Sequence, residues 1–298
     1  VRTRDGGRTW AGVPAPPATL SVDQSGGVAQ VRFADADNGW AFGPELWATH
    51  DGGARWSRVT LPGVGNGAVV SDLAASSGVV HAAVIAPGTG EVRILTSPVG
   101  ADEWRLSPTT VSMGAGPVPR AQLVLQGTTG WLVEVDRTVV GGARLAGGAW
   151  VPWQPPCANA GGPAVIAAST PSDLFAVCDE GVWTDAPRAV RAYTSKDGGT
   201  TFQRATVPVP LGGAAGVASG ATGSAVVAGG GDGRSLLLST FDAGATWATT
   251  YRGSGQLSYV GLTSARQGVA VEEQADGRAG TLLMTVDGGR NWNVVAIR

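Results

Sequence analysis

Short apolar runs, each set off by turn residues, recur along the whole chain. "DNGWAFG" from Asp37, "SSGVVHAAV" from Ser76, "TTGWLVEV" from Thr128, "SDLFAVC" from Ser172, "TGSAVVAG" from Thr222 and "RQGVAVE" from Arg266 all place turn residues ahead of an alternating or continuous apolar stretch. This is the signature of a buried strand. A second such run precedes it, as in "VAQVRFA", "AQLVLQ" and "LSYVGL". No window sustains a 3.6-residue apolar period, and Pro or Gly interrupts most windows long enough for a helix. The pattern predicts an all-β chain.

A polar phrase closes each unit. It reads Ser/Thr-x-Asp-x-Gly-x-x-Trp/Phe and stands intact five times, with Asp5 and Trp10, Asp51 and Trp56, Asp197 and Phe202, Asp242 and Trp247, and Asp287 and Trp292. Two decayed copies, "SPVGADEW" and "ARLAGGAW", keep Trp104 and Trp150. The seven aromatics recur roughly every 47 residues. Each unit is strand A, turn, strand B, loop, strand C, box, strand D, and four antiparallel strands in this length make a propeller blade. We therefore expect a seven-bladed β-propeller of four-stranded blades in a single domain over residues 1–298. A partial first blade would occupy about 1–27, and complete blades about 28–63, 64–109, 118–155, 163–209, 212–252 and 255–298. The first unit shows only its C and D strands, so the chain begins inside a repeat, with room upstream for a signal or lipid anchor.

The box falls at the C–D turn. Its glycine accepts positive φ and its aspartate accepts turn N–H groups. The aromatic then turns into apolar space, where burial contributes about 3 kcal/mol. The five box aspartates are thus expected to be structural.

Composition narrows the function classes. Hydrophobic residues make up 43% and charged residues 15%, which excludes a disordered chain. A net charge of −2 gives no electrostatic basis for binding nucleic acid or an anionic membrane. The longest apolar stretches fall far short of the ~20 residues of a spanning helix. Twenty arginines against a single lysine fit a GC-rich bacterial genome.

With its boxes, the segment "RFADADNGWAFGPELWATHDGGARW" (Arg32 to Trp56) resembles the Asp-box, or BNR-repeat, propellers of the sialidase-like superfamily. That group includes sialidases, sortilin-type receptors, xyloglucan hydrolases and the photosystem II stability/assembly factors. The chain is most similar to the last, which implies an exported propeller without implying photosynthetic work. In such propellers ligands usually meet the face of the B–C and D–A loops, opposite the boxes.

Candidate ligand-binding residues lie on that face. The B–C loop "CDEGVWTDAPRAVRAYTS" offers Glu180, Trp183, Asp185, Arg188, Arg191 and Tyr193. An aromatic among paired charges suits sugar or peptide recognition, and a solvated extension of the two strands is the plainer reading. "VEVDRTVV" adds Glu134, Asp136 and Arg137, and "VEEQADGRAG" adds Glu272, Glu273 and Asp276. Two carboxylates from neighbouring loops could serve glycoside hydrolysis. Adjacent Glu272 and Glu273 point to opposite faces of a strand and make a poor pair. A sialidase would also need an arginine triad and a Tyr–Glu nucleophile, which no spacing singles out.

His50 lies in a box and His81 in a buried-looking strand, and "GGGDG" lacks the Lys-Ser/Thr of a phosphate loop. No metal or other cofactor is implied. The favoured reading is an exported non-enzymatic binding or scaffold propeller with a protein, peptide or glycan partner. A glycoside hydrolase using carboxylates on the same face is the alternative.

Cys157 and Cys178 are the only cysteines. Cys157 lies in the D–A connection entering a blade, and Cys178 ends that blade's strand B. Strand A leaves the D–A face and strand B returns to it, so both arrive on one side and are expected to form a disulfide. Two free buried thiols are the alternative. A bridge would place the protein outside the cytoplasm, as the resemblance also implies.

Overall fold

The computed structural model describes residues 1–20, 26–86, 88, 91–112 (backbone only at 110–112), 120–183, 188–231, 234–274 and 280–296. Among these, contacts divide the chain into two compact units, one of residues 1–136 and 140–154, the other of 137–139 and 155–298.

The first unit holds three four-stranded antiparallel sheets. They are β1 (Gln30–Phe33), β2 (Gly39–Phe42), β3 (Leu46–Thr49) and β4 (Ser57–Arg58); β5 (Val69–Ser76), β6 (Val79–Ala86), β7 (Glu91–Pro98) and β8 (Arg105–Ser112); and β9 (Arg120–Gln126), β10 (Thr129–Val135), β11 (Val139–Ala146) and β12 (Ala149–Pro152). The second unit holds three more. They are β13 (Ala164–Ala168), β14 (Leu174–Glu180), β15 (Ala189–Ser195) and β16 (Gln203–Arg204); β17 (Gly213–Ala221), β18 (Ser224–Gly231), β19 (Arg234–Thr240) and β20 (Ala248–Gly253); and β21 (Gln256–Leu262), β22 (Gly268–Glu273), β23 (Gly280–Thr285) and β24 (Asn293–Val294).

The fold is thus an all-β propeller of six four-stranded blades, and the expected seven is corrected. Residues 1–20 carry an intact box but no strand ladder, only isolated bridges from Arg2 to Ala11 and from Leu20 to Val28. The box closes on its own side chains, so it forms without a sheet behind it. Pro14, Pro16 and Pro17 follow it and offer no N–H to a ladder. Counting boxes therefore overcounts sheets.

The second strands run deep in the core, as in Val80, Ala82 and Val84 of β6 or Val226, Val227 and Ala228 of β18. Facing sheets pack these positions into apolar clusters, one around Trp40, Leu73 and Leu95 in the first unit and one around Phe175, Val227 and Leu238 in the second. Polar links join neighbouring sheets. In the first unit Leu123 N–H donates to the Asp72 carboxylate across 2.9 Å. Burial pushes the Asp72 carboxyl up to about 6, against the opposing pull of Arg32 and two backbone N–H donors.

The intact boxes share one geometry. In the Asp197 box, Ser195 Oγ donates to Asp197 Oδ1 (2.8 Å), Gly199 N–H donates to Ser195 Oγ (2.8 Å) and Thr201 N–H donates to Asp197 Oδ1 (2.9 Å). The same three links recur around Asp5, Asp51, Asp242 and Asp287. Hydrogen bonds from the Thr201 hydroxyl and N–H hold Asp197 down at about 2. The aromatics differ in burial: Trp104 (7%) and Trp150 (3%) of the decayed boxes are buried, while Trp10, Trp56, Phe202, Trp247 and Trp292 are half-buried. Among the described residues no helix is long and apolar enough to cross a membrane.

Candidate functional site

The B–C loop of the β13–β16 sheet gathers most of the expected residues. Strand alternation puts Glu180 and Cys178 of β14, Arg191 and Tyr193 of β15 and Arg204 of β16 on one sheet face, since Cys178 pairs with Arg191 and Tyr193 with Arg204. Glu180 is the centre of this group. Tyr193 Oη donates to Glu180 Oε1 (2.6 Å), Arg204 Nε donates to the same oxygen (2.9 Å), and the other Arg204 nitrogen binds Glu180 Oε2. This two-pronged Arg204 contact, aided by Tyr193, holds the Glu180 carboxyl below its ordinary value. Burial and the Glu180 charge push the Tyr193 phenol up. Arg191 donates to Thr206 O (2.6 Å).

Trp183 lies beyond this group and is 58% exposed. The Arg137 guanidinium sits 5.2 Å from its ring centroid. Arg188 is exposed and its guanidinium reaches Val182 O at 3.5 Å. Asp185 lies outside the described residues, as does Asp276 of the other acidic loop.

The loop is fastened to the turn entering the same blade. Cys157 and Cys178 form a disulfide with Cα atoms 5.9 Å apart, as the paths of strands A and B lead one to expect. Ala160 N–H donates to Cys157 O (2.9 Å), Gly181 N–H to Ala160 O (2.9 Å) and Trp183 N–H to Gly161 O (2.8 Å). The turn approaches so closely that a Cβ at Gly162 would lie 1.6 Å from Asp179 O. Only glycine fits there.

Glu272, in β22, is buried and fully engaged. Its oxygens accept from Ser235 Oγ, from Gly255 N–H (2.7 Å) and from Tyr251 Oη (2.7 Å). Burial pushes this carboxyl up, but the three donors outweigh it and the net shift is downward. Tyr251 is pushed up to about 12 by burial and by Glu272. Glu134, in β10 of the first unit, is the opposite case. It is 0% exposed, neither oxygen has a hydrogen-bond partner among the described residues, and burial raises it to about 7.

Sequence reasoning missed Arg204, Ser235 and Tyr251 as carboxylate partners. For Arg204 the signal was available in the register, because it pairs directly across from Tyr193. Ser235 and Tyr251 reach Glu272 from the preceding sheet, which no local pattern reveals. Among the described residues no cluster of His, Cys, Asp and Glu could hold a metal ion.

No protein-family profile matches the chain, and no curated protein does. Solved structures do match. YCF48 bound to D1 peptide is 14% identical with a TM-score of 0.59, over 94% of this chain and 82% of that one. The Penicillium chrysogenum alpha-L-arabinanase complexed with arabinobiose is 13% identical with a TM-score of 0.54, over 91% and 96%. The Aleuria aurantia lectin, a six-bladed propeller that recognises fucose, is 9% identical with a TM-score of 0.53, over 89% and 92%. The likeness is one of fold alone, that of a β-propeller.

Proposed function

We propose that this chain is an extracytoplasmic, non-enzymatic binding or scaffold propeller of the Asp-box kind. It would recognise a protein, peptide or glycan on its B–C and D–A loop face. The observation that carries the reading is Trp183, a large indole left 58% exposed on a loop that backbone bonds and a disulfide hold in place. The carboxylates support it too. Glu180 and Glu272 spend their acceptor capacity on protein donors, which leaves them poorly suited to acid–base work. Binding propellers and hydrolases both share this fold, so fold alone does not choose. The disulfide supports an oxidising compartment.

One observation favours a glycoside hydrolase. Glu134, raised to about 7, would stay protonated as a general acid must. Its complete burial argues against contact with a substrate oxygen. A glycan and peptide array with the purified chain, run beside a panel of aryl glycosides, separates the readings. Saturable binding without turnover is expected. Turnover abolished by Glu134→Gln would overturn the non-enzymatic reading.

A further inference from the structure

We propose that Trp183, Arg137 and Arg188 form a preformed platform for an acidic glycan, one whose sugar rings carry carboxylates. This rests on the binding reading above and narrows it to one ligand class.

Three observations lead there. Trp183 keeps most of its indole in solvent, a flat apolar surface of the size that stacks on the C–H face of a pyranose. Arg137 sits over the ring, and the Arg188 guanidinium reaches the carbonyl of Val182, the residue just before Trp183. Neither guanidinium is in an ion pair among the described residues, unlike Arg204 or Arg93 on the same kind of strand ends. Two guanidiniums without an ion pair among the described residues, beside a sugar platform, suit a carboxylate, which each can grip with two parallel N–H bonds.

The platform is also rigid before any ligand arrives. The chain of bonds from Cys157 through Ala160 and Gly161 to Trp183, closed by the disulfide, fixes residues 178–183 against the turn. A fixed aromatic loses little freedom on binding. The same bonds decide between a sugar and a peptide. A peptide added as a strand needs free main-chain donors, and the N–H groups of Gly181 and Trp183 are already committed to Ala160 and Gly161. Recognition by side chains alone, an aromatic face plus cations, favours the glycan.

Calorimetric titration of the purified chain tests this with oligogalacturonate, oligoglucuronate, their methyl esters, a neutral oligosaccharide and oligoglutamate. A uronate is expected to bind, its ester and the neutral sugar to bind at least about tenfold more weakly, and Trp183→Ala and Arg137→Gln each to weaken uronate binding about tenfold or more. Melting temperatures of both variants should match the parent, since the two side chains are exposed. Equal binding of ester and acid, or unchanged binding by Trp183→Ala, would overturn the platform. Binding of oligoglutamate without any uronate would replace the glycan with a peptide and leave the binding reading intact. Silence across the panel and across the glycan and peptide array would overturn both.

Discussion

Glu134 offers the most direct test of the energetics. Its carboxyl is fully buried without a hydrogen-bond partner among the described residues, and is held at about 7 instead of the ordinary 4.5. The folded chain therefore keeps this proton when the unfolded chain has already lost it. Between pH 4.5 and 7 the native state binds more protons, so stability falls as pH rises through that window and levels off above it. At 1.36 kcal/mol per pH unit, the loss comes to about 3 kcal/mol between pH 4 and pH 8. Asp72, raised to about 6, contributes a loss of its own in an overlapping window, so the parent curve alone does not isolate Glu134. The difference between parent and Glu134→Gln does, because glutamine does not titrate. Urea denaturation at half-unit steps from pH 4 to pH 8 should show the variant gaining about 3 kcal/mol on the parent across the window, whatever constant offset the amide brings. Glu134→Leu, which removes the polar group, should gain by the same slope. Parallel pH curves for parent and both variants would refute the reasoning and show that Glu134 is solvated or paired in solution.

Three further outcomes follow from packing and covalent geometry. Trp104→Ala and Trp150→Ala should each cost about 3–5 kcal/mol in chemical denaturation, and half-buried Trp56→Ala clearly less; equal costs would contradict the burial order. Cys157→Ser with Cys178→Ser should lower stability by about 3 kcal/mol, and a reductant should act on the parent alone, which a thermal melt with and without it will show. Gly253→Ala would bring a Cβ within 1.9 Å of Glu272 Oε1 and should cost at least about 2 kcal/mol, whereas Gly12→Ala, with open space around it, should stay within about 0.5 kcal/mol.

What was legible in the sequence was what local chemistry enforces. The A–B–C–D strand order is written in apolar runs and turn residues and stands in all six sheets, with an intact box in four of them. The cysteine pairing followed from strand direction alone. The blade count failed because a box is a self-contained hairpin turn. Thr3, Asp5 and Thr9 satisfy one another with no sheet beside them. Burial was expected of every box aromatic, and it holds for Trp104 and Trp150, in the copies that lost the aspartate, while the intact boxes leave theirs half-buried. In the decayed copies the indole packs without the box aspartate, and Trp150 even donates to the buried His81 Nδ1 at 3.2 Å. Burial holds that imidazole at about 4, so it stays neutral and accepts the bond. That a motif tryptophan and a buried-looking histidine are partners could be disclosed only by packing between sheets.

The carboxylates make the same point about function. Glu134, Glu180 and Glu272 all fall at the last or second-last position of the second strand in their sheets, so pattern alone groups them as one kind of site residue. Their surroundings make them three different groups. Glu180 finds an arginine and a tyrosine on the neighbouring strands of its own sheet and stays ionised. Glu272 reaches the preceding sheet for a serine and a tyrosine and stays ionised despite burial. Glu134 has no donor among the described residues and is raised to about 7. Strand position decides which carboxyl is presented; the residues opposite decide its charge. Two of the three are thereby committed to holding the fold. The proposed recognition rests instead on side chains these carboxylates do not engage, the exposed Trp183 with Arg137 over its ring and Arg188 near Val182.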